Sequence, residues 1–384
     1  MSVVQSVLSA HAGGKPRYVM IGGFLGAGKT TAVGKLAGWL SARGLRAGLI
    51  TNDQGHNLVD TTMLRAQGFA TEEIPGGCFC CRFDSLVAAT RKLRLSCQPD
   101  VFIAEPVGSC TDLVATVTYP LRKLYSADFI VAPVSVLVDP TRVERVFGLV
   151  KGRGFSEKVN YIYRKQLEEA DLIVIAKCDL LSAARLEHLR QALAAQFPHK
   201  EILAVSSRAG TNLDQWFSRI TGETQSAKTA MKVDYKIYAD GEALLGWLNC
   251  TVNLRAGKAF AAGTLLNQLA CEVKKQLVFQ KAEVAHLKMT LKPEGAADAV
   301  AVVNLASNDY APELSFPLTK TVTSGQLTIN LRAEAAPDIL GTAVRNGLLS
   351  VASAFPELTT TVDYLEHFRP GKPTPTHRLT RLAN

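Results

Sequence analysis

Gly23-Phe24-Leu25-Gly26-Ala27-Gly28-Lys29-Thr30 is the stretch on which the fold turns. It fits the eight-position pattern G-x-x-x-x-G-K-[ST], a phosphate-binding loop set between a strand and a helix. Both neighbours are present. The apolar run Tyr18 to Ile21 precedes the loop, and Val33, Leu36, Ala37 and Leu40 follow Thr30 on one helical stripe. Gly23, Gly26 and Gly28, with Ala27 between the last two, let the backbone turn its amides inward around phosphate oxygens. The helix opening at Lys29, Thr30 and Thr31 adds its positive end. Lys29 is expected to reach the outer phosphates and the Thr30 hydroxyl to coordinate magnesium.

Outward from the loop, short β-branched runs alternate with helical patterns from Arg17 to about Thr221, the signature of a parallel sheet wrapped by helices. Strands are predicted at Tyr18 to Ile21, Gly48 to Asn52, Val101 to Ala104, Val134 to Val138, Leu172 to Ile175 and Ile202 to Val205. The fold class is therefore α/β, a P-loop NTPase, with a domain at 17–224 behind an N-terminal extension at 1–16. The polar stretch Gly222 to Thr229 marks the boundary. A smaller α+β domain is expected at 230–368. Its strands are predicted at Val233 to Tyr238, Leu245 to Leu254, Glu283 to Leu291, Ala299 to Leu305 and Gln326 to Leu331, and its helices at Phe260 to Gln276 and Pro337 to Phe355. Residues 369–384 read as an extended basic tail, with three prolines between Arg369 and Thr376.

The bulk numbers narrow the class. A chain of 384 residues fits two domains, and 47% hydrophobic with 20% charged residues is an ordinary globular balance. No apolar run approaches the roughly 20 residues of a membrane span. Val3 to Ala10 lacks the basic flank of a signal peptide, so a cytoplasmic protein is expected. The net charge of +9 is scattered, and Arg91, Lys92 and Arg94 read as a solvated helix face. Neither nucleic acid nor membrane is expected as a partner.

Magnesium needs oxygen ligands beyond the loop. Glu105 ends an apolar strand at the carboxyl edge, where open α/β sheets place ligands. Gly108, three residues on, offers an unhindered amide to a terminal phosphate. Asp139, also at a strand end, is either a second acid of the site or a turn-starting residue before Pro140. Base recognition is expected from Ala176-Lys177-Cys178-Asp179 and from Ser207 and Arg208, which fall where GTPases carry N-K-x-D and S-A-K elements. A carboxylate at Asp179 accepts two hydrogens from guanine, and the Lys177 stem lies over the ring. Ala176 departs from the usual Asn.

Of the eight cysteines, Cys97, Cys110, Cys178, Cys250 and Cys271 stand alone and read as small core or boundary residues. Cys78, Cys80 and Cys81 lie within four positions. Three thiolates are soft ligands that suit zinc, cobalt, copper(I) or iron, and three sulfurs leave one tetrahedral position open. His56 is a nearby loop histidine. Beyond residue 200 only His286, His367 and His377 occur, too dispersed to form a site by spacing.

Taken together, Gly23 to Thr30, Asn52-Asp53-Gln54-Gly55, Val59-Asp60, Gly77-Cys78-Phe79-Cys80-Cys81, Glu105-Pro106-Val107-Gly108 and Ala176-Lys177-Cys178-Asp179 resemble the CobW-type GTPases, relatives of UreG and HypB, over about residues 16 to 220. The family's Asn-Glu-Phe-Gly stretch is altered here at two positions. The resemblance implies that Asp60 joins Thr30 and Glu105 in the magnesium site, and that GTP orders the segments Asn52 to Asp60 and Glu105 to Gly108. It also implies that Cys78, Cys80 and Cys81 carry zinc or a cobalt-like metal for delivery to a client metalloenzyme or corrinoid protein. A homodimer is left open. Two rival readings share the nucleotide site: a GTPase gate for cobalamin-enzyme reactivation with the cysteines as sensor, and a metal storage or sensing module. A small-molecule kinase is a further rival, against which Asp179 and the acid-x-x-Gly switch argue.

Overall fold

Gly23 shows why β1 can only be built one way. A Cβ there would fall 2.3 Å from the Leu137 carbonyl oxygen of the neighbouring strand, and its φ of +128° lies where side chains strain the backbone. The computed structural model describes residues 14–54, 59–296, 299–355 and 357–382. The expected extension at 1–16 falls largely outside them, as does His56.

Along the chain come β1 (Arg17–Gly23), α1 (Lys29–Ser41), β2 (Ala47–Asn52), α2 (Val59–Ala66), β3 (Thr71–Ile74), α3 (Phe83–Cys97) and β4 (Val101–Glu105). A π-helical turn at Val114–Thr118 runs into α4 (Tyr119–Leu124), followed by β5 (Ile130–Val131), β6 (Ser135–Val138), α5 (Pro140–Val146) and α6 (Glu157–Glu169). Then come β7 (Leu172–Ile175), a 3-10 turn at Cys178–Leu180, α7 (Ala183–Gln196), β8 (Glu201–Ala204), α8 (Leu213–Gly222) and α9 (Tyr235–Leu244). The remainder is β9 (Leu245–Phe260), α10 (Ala262–Phe279), β10 (Glu283–Pro293), β11 (Ala301–Leu305), β12 (Glu313–Phe316), β13 (Val322–Glu334), α11 (Pro337–Ala354) and β14 (Leu358–Phe368).

The chain divides into two compact units, Met1–Gln54 with Gly68–Tyr238 and Pro373–Asn384, and Gly55–Gln67 with Ala239–Lys372. The first holds a parallel sheet in the order β3-β2-β4-β1-β6-β7-β8, with β5 also on β1. Helices cover it, so β1 and β4 are apolar on both faces. This is the expected α/β class. Because β1 is central, its loop opens between the carboxyl ends of β4 and β6.

The second unit is an antiparallel sheet in the order β12-β11-β10-β13-β9-β14. Alternate residues such as Leu248, Cys250 and Val252 of β9 and Leu327, Ile329 and Leu331 of β13 bury a core with Leu265, Leu269 and Val273 of α10 and Leu340 and Val344 of α11. The intervening residues face the other way. There α2 packs against β10 and β13, with the Val59 amide donating to Asn330 Oδ1 at 3.1 Å. Arg332, fully buried, donates to the Leu248 carbonyl and to Asn249 Oδ1, with its guanidinium 4.0 Å from the centre of the Trp247 ring.

Four sequence expectations change. The strand predicted at Val233 to Tyr238 is the start of α9, because Asp234 Oδ1 accepts from the Lys236 and Ile237 amides and caps a helix in spite of the alternating pattern. β3 and β14 are hidden in the sequence by their polar composition, TEEI and LTTTVDYLEHF. The division of the chain comes after Tyr238 instead of at 222–229, and 55–67 go with the second unit. Residues 374–382, expected as an extended tail, are docked on the first unit. Ala230 donates to the Thr380 carbonyl, Leu379 to Ala115 and Leu382 to Lys228. Among the described residues no helix is long and apolar enough to cross a membrane.

Gly23→Ala should lower stability by at least the roughly 1–3 kcal/mol of a strained backbone residue, read as a lower urea midpoint at unchanged slope. A midpoint equal to the parent's would mean that β1 and β6 do not approach as closely as described.

Candidate functional site

α1 begins at Lys29 with no side-chain cap, so its first amides are left for a ligand. Lys29 and Thr30 are buried. The Thr30 hydroxyl donates to Glu105 Oε1 at 2.9 Å, and Lys29 Nζ donates to the Phe24 carbonyl at 3.3 Å. Gly108 crosses the loop so closely that a Cβ would lie 2.8 Å from the Leu25 nitrogen and 2.9 Å from Lys29 Nζ. Gln166 of α6 fixes this crossing, donating to the Gly108 carbonyl at 2.9 Å and the Cys110 carbonyl at 2.8 Å. A hydroxyl, a carboxylate and an ammonium thus converge, a donor set that fits a hard cation held against phosphate.

Asp60, on α2 of the second unit, pairs with Lys288 Nζ. Asp139 accepts from the Arg142 amide at 3.1 Å as the cap of α5, and its other oxygen accepts from Lys177 Nζ at 2.8 Å. Lys177 also donates to the Gly26 carbonyl at 3.3 Å, so this predicted base-recognition residue lies against the phosphate loop. Asp179 is exposed in the turn after β7. The Cys178 amide donates to the Val205 carbonyl and joins that turn to the segment carrying Ser207 and Arg208. Arg142, which the sequence did not single out, is buried, donates to the Leu25 carbonyl and stands over the Phe24 and Phe155 rings.

Between β3 and α3 the Cys-x-Cys-Cys element folds into a tight turn, with the Cys81 and Arg82 amides both donating to the Cys78 carbonyl. Its sulfurs converge. Cys78 Sγ lies 2.7 Å from Cys80 Sγ and 3.2 Å from Cys81 Sγ, and Cys80 and Cys81 are 3.6 Å apart. All three ligand atoms fall within 4.8 Å of one another, and no other His, Cys, Asp or Glu joins the group among the described residues at that spacing. Tetrahedral zinc places its sulfurs about 3.8 Å apart, given Zn–S near 2.3 Å, so the trio needs only a small expansion to hold a soft metal. Hydrogen bonds from Cys110 first, then from Cys80 and Cys81, hold the Cys78 thiol well below its ordinary range. Cys81 is pushed up to about 11, mainly by its bond with Cys78.

Residues with no predicted part in holding the cysteines fix this element. The Asn52 amide at the end of β2 donates to the Ile74 and Gly77 carbonyls, at 2.8 and 2.6 Å, and its oxygen accepts from the Phe79 amide at 2.9 Å. The tail covers the turn. Thr376 donates to the Cys80 carbonyl at 2.8 Å, Thr374 to Cys81 Sγ at 3.3 Å, and the His377 ring meets Phe83 edge-on at 5.0 Å. Arg378 pairs with Asp112 at 2.6 Å. Only contacts this far apart in sequence reveal the arrangement.

The family described as CobW/HypB/UreG, nucleotide-binding domain, matches residues 17–204. The zinc chaperone CobW of Sinorhizobium sp is 31% identical over 211 residues, 49% of this chain and 58% of that protein. The zinc chaperone YeiR of Escherichia coli strain K12 is 31% identical over 168 residues, 42% of this chain and 46% of that protein. The chain therefore spans about half the length of the curated relatives it matches. Among solved structures, HypB from Helicobacter pylori in complex with nickel is similar at a TM-score of 0.41 and 16% identity, covering 59% of this chain and 96% of that one. Zn(II)-bound YjiA GTPase from Escherichia coli gives 0.38 and 15%, covering 88% and 99%.

One buried acid beneath the site carries a pH dependence. Glu169 accepts from the Thr111 hydroxyl at 3.1 Å and the Val114 amide at 3.0 Å, and burial pushes its carboxyl from 4.5 up to about 8. The folded state thus keeps a proton that the unfolded chain releases, so this contribution is full below about 4.5 and is lost as pH rises toward about 8. The slope across that window should approach about 1.4 kcal/mol per pH unit. Glu169→Gln should flatten a plot of melting temperature against pH between 5 and 8. If the two proteins keep parallel curves, Glu169 does not carry the dependence.

Proposed function

Since residues 17–204 belong to the CobW/HypB/UreG family of nucleotide-binding domains, we propose that this protein is a GTP-hydrolysing metallochaperone that carries a zinc-like ion to a client enzyme. The observation that carries the reading is the convergence of Cys78, Cys80 and Cys81 in the same unit as the Lys29 loop. Three clustered thiols suit a cargo ion, and the Thr30–Glu105 pair suits the magnesium that accompanies a nucleoside triphosphate. Magnesium, when bound, would draw charge from the phosphate oxygens.

The chain's own residues do the rest. Lys29 neutralises the outer phosphates, the Gly108 amide faces them without a side chain in the way, and the loop amides at the start of α1 hold their oxygens. Asp179 reads the guanine edge, with Lys177 stacked behind it. The phosphate and thiol sites share their supports. β2 and β4 pair with Thr51 opposite Glu105, and Asn52, the next residue, is bonded to the cysteine turn. A shift of Glu105 to Gly108 on hydrolysis is therefore transmitted to the thiols, as cargo release requires.

GTP should be hydrolysed faster than ATP, Lys29→Ala should abolish nucleotide binding, and Glu105→Gln should bind normally but hydrolyse at least about tenfold more slowly. Equal turnover of GTP and ATP would remove Asp179 from base selection, and a parental rate for Glu105→Gln would remove Glu105 from the magnesium site.

Zinc affinity, measured by competition with a chelating dye, should differ by at least about fivefold between the GDP form and a non-hydrolysable GTP form. Identical affinities in the GDP, GTP-analogue and nucleotide-free forms would refute the chaperone reading, because the sites would not be coupled.

A further inference from the structure

Residues 373–378 read Pro-Thr-Pro-Thr-His-Arg. The prolines at 373 and 375 have few backbone states to lose, so the segment docks at a reduced entropic cost. Thr374, between them, is kept out of helical backbone by the proline that follows it. Its amide therefore has no helical or sheet partner, and it donates to Cys81 Sγ at 3.3 Å. Cys81 is the half-buried member of a trio whose other two thiols are buried. The thiol nearest solvent is thus the one that Thr374 meets.

Thr376 fastens the segment to the turn, donating from its amide to the Cys80 carbonyl at 2.8 Å and from its hydroxyl to the Cys81 carbonyl at 3.3 Å. Beyond Thr376 the segment grips a different stretch of chain. Arg378 Nε donates to Asp112 Oδ2 at 2.6 Å, and the Leu379 amide donates to the Ala115 carbonyl at 2.8 Å. Asp112 is 1% exposed and holds a φ of +65° four residues after Gly108. Of these attachments the pair between Arg378 and Asp112 is the charge-assisted one, and hence the strongest in kind.

We propose that residues 374–378 form a latch on the thiol site, in which the Thr374 amide positions the Cys81 sulfur and the Arg378–Asp112 pair is the clasp that keeps the latch shut. The proposal rests on the reading of Cys78, Cys80 and Cys81 as metal ligands and assigns what governs exchange at them. An amide donated to a thiolate stabilises its charge and fixes its orientation, as partners just outside a metal's ligands do. With the latch shut, Cys81 is held in the trio. With the clasp undone, Cys81 is the ligand that an acceptor's donor atoms displace first. Because Asp112 follows Gly108 on one short run of chain, the clasp is fastened to the stretch that crosses the phosphate loop.

Transfer of zinc from the loaded full-length protein to an excess of chelating dye tests the latch. Thr374→Pro removes the amide hydrogen and keeps a non-helical backbone, and should speed transfer by about tenfold or more, the size typical of an outer partner of a metal ligand. Thr374→Val keeps that amide and should transfer at the parental rate. Asp112→Asn removes the charge of the clasp with a residue that tolerates a positive φ and still accepts from the Tyr235 hydroxyl, which bonds Asp112 at 2.7 Å. It should speed transfer too. In the metal-free protein it should also raise amide hydrogen exchange at Thr376 and Leu379 by at least about tenfold, a reading that owes nothing to the metal. Parental transfer by both Thr374→Pro and Asp112→Asn overturns the latch and leaves the thiols as ligands. Equal acceleration by Thr374→Val and Thr374→Pro overturns the role of the amide, and parental exchange in Asp112→Asn overturns the clasp. Absence of zinc binding by the parent overturns the latch together with the reading of the cysteines. Should Asp112→Asn fail to fold, Arg378→Gln, on the less buried side of the pair, gives the same readings.

Discussion

The hydrogen bond from Thr30 to Glu105 fixes the phosphate loop onto the end of β4, and the rest of the first unit is arranged around it. Once Glu105 is held there, the chain leaving it must pass over Lys29. Only a glycine at 108 leaves room for that passage. Gln166 of α6 holds this path, donating to the Gly108 and Cys110 carbonyls.

A second brace runs in parallel. Asn52 replaces what would otherwise be an irregular junction of β2, β3 and the cysteine turn with three side-chain hydrogen bonds in a buried position. A buried amide satisfied on both its nitrogen and its oxygen is rigid, because any displacement leaves a polar group without a partner. Beneath lies a patch of buried acids, Asp112 and Glu169, both pushed up by burial, with Arg378 and Tyr235 opposing that shift at Asp112.

Much of this is legible in the sequence, and the reasons differ by element. The phosphate loop and the strands with near-continuous apolar runs are readable because burial on both faces leaves an unambiguous pattern. Cys78, Cys80 and Cys81 are readable because their ligand atoms are neighbours along the chain. The pairing of Asp60 with Lys288 is not legible, because a motif position says nothing about which unit a helix packs with and Lys288 lies too far along the chain to be paired with it by inspection. α9 imitates a strand because Val233, Tyr235 and Ile237 alternate while Asp234 caps a helix.

Along the chain, residues 239–372 of the second unit separate two parts of the first, which breaks off at Tyr238 and resumes at Pro373 to close over the cysteine turn. The resuming segment donates to the Cys80, Ala115 and Lys228 carbonyls. The family match ends at residue 204, ahead of the inserted module. The sulfurs of the cysteine turn are thus covered by residues that come late in the chain, and a chain cut short within 239–372 would leave Cys80 and Cys81 without Thr376 and Thr374.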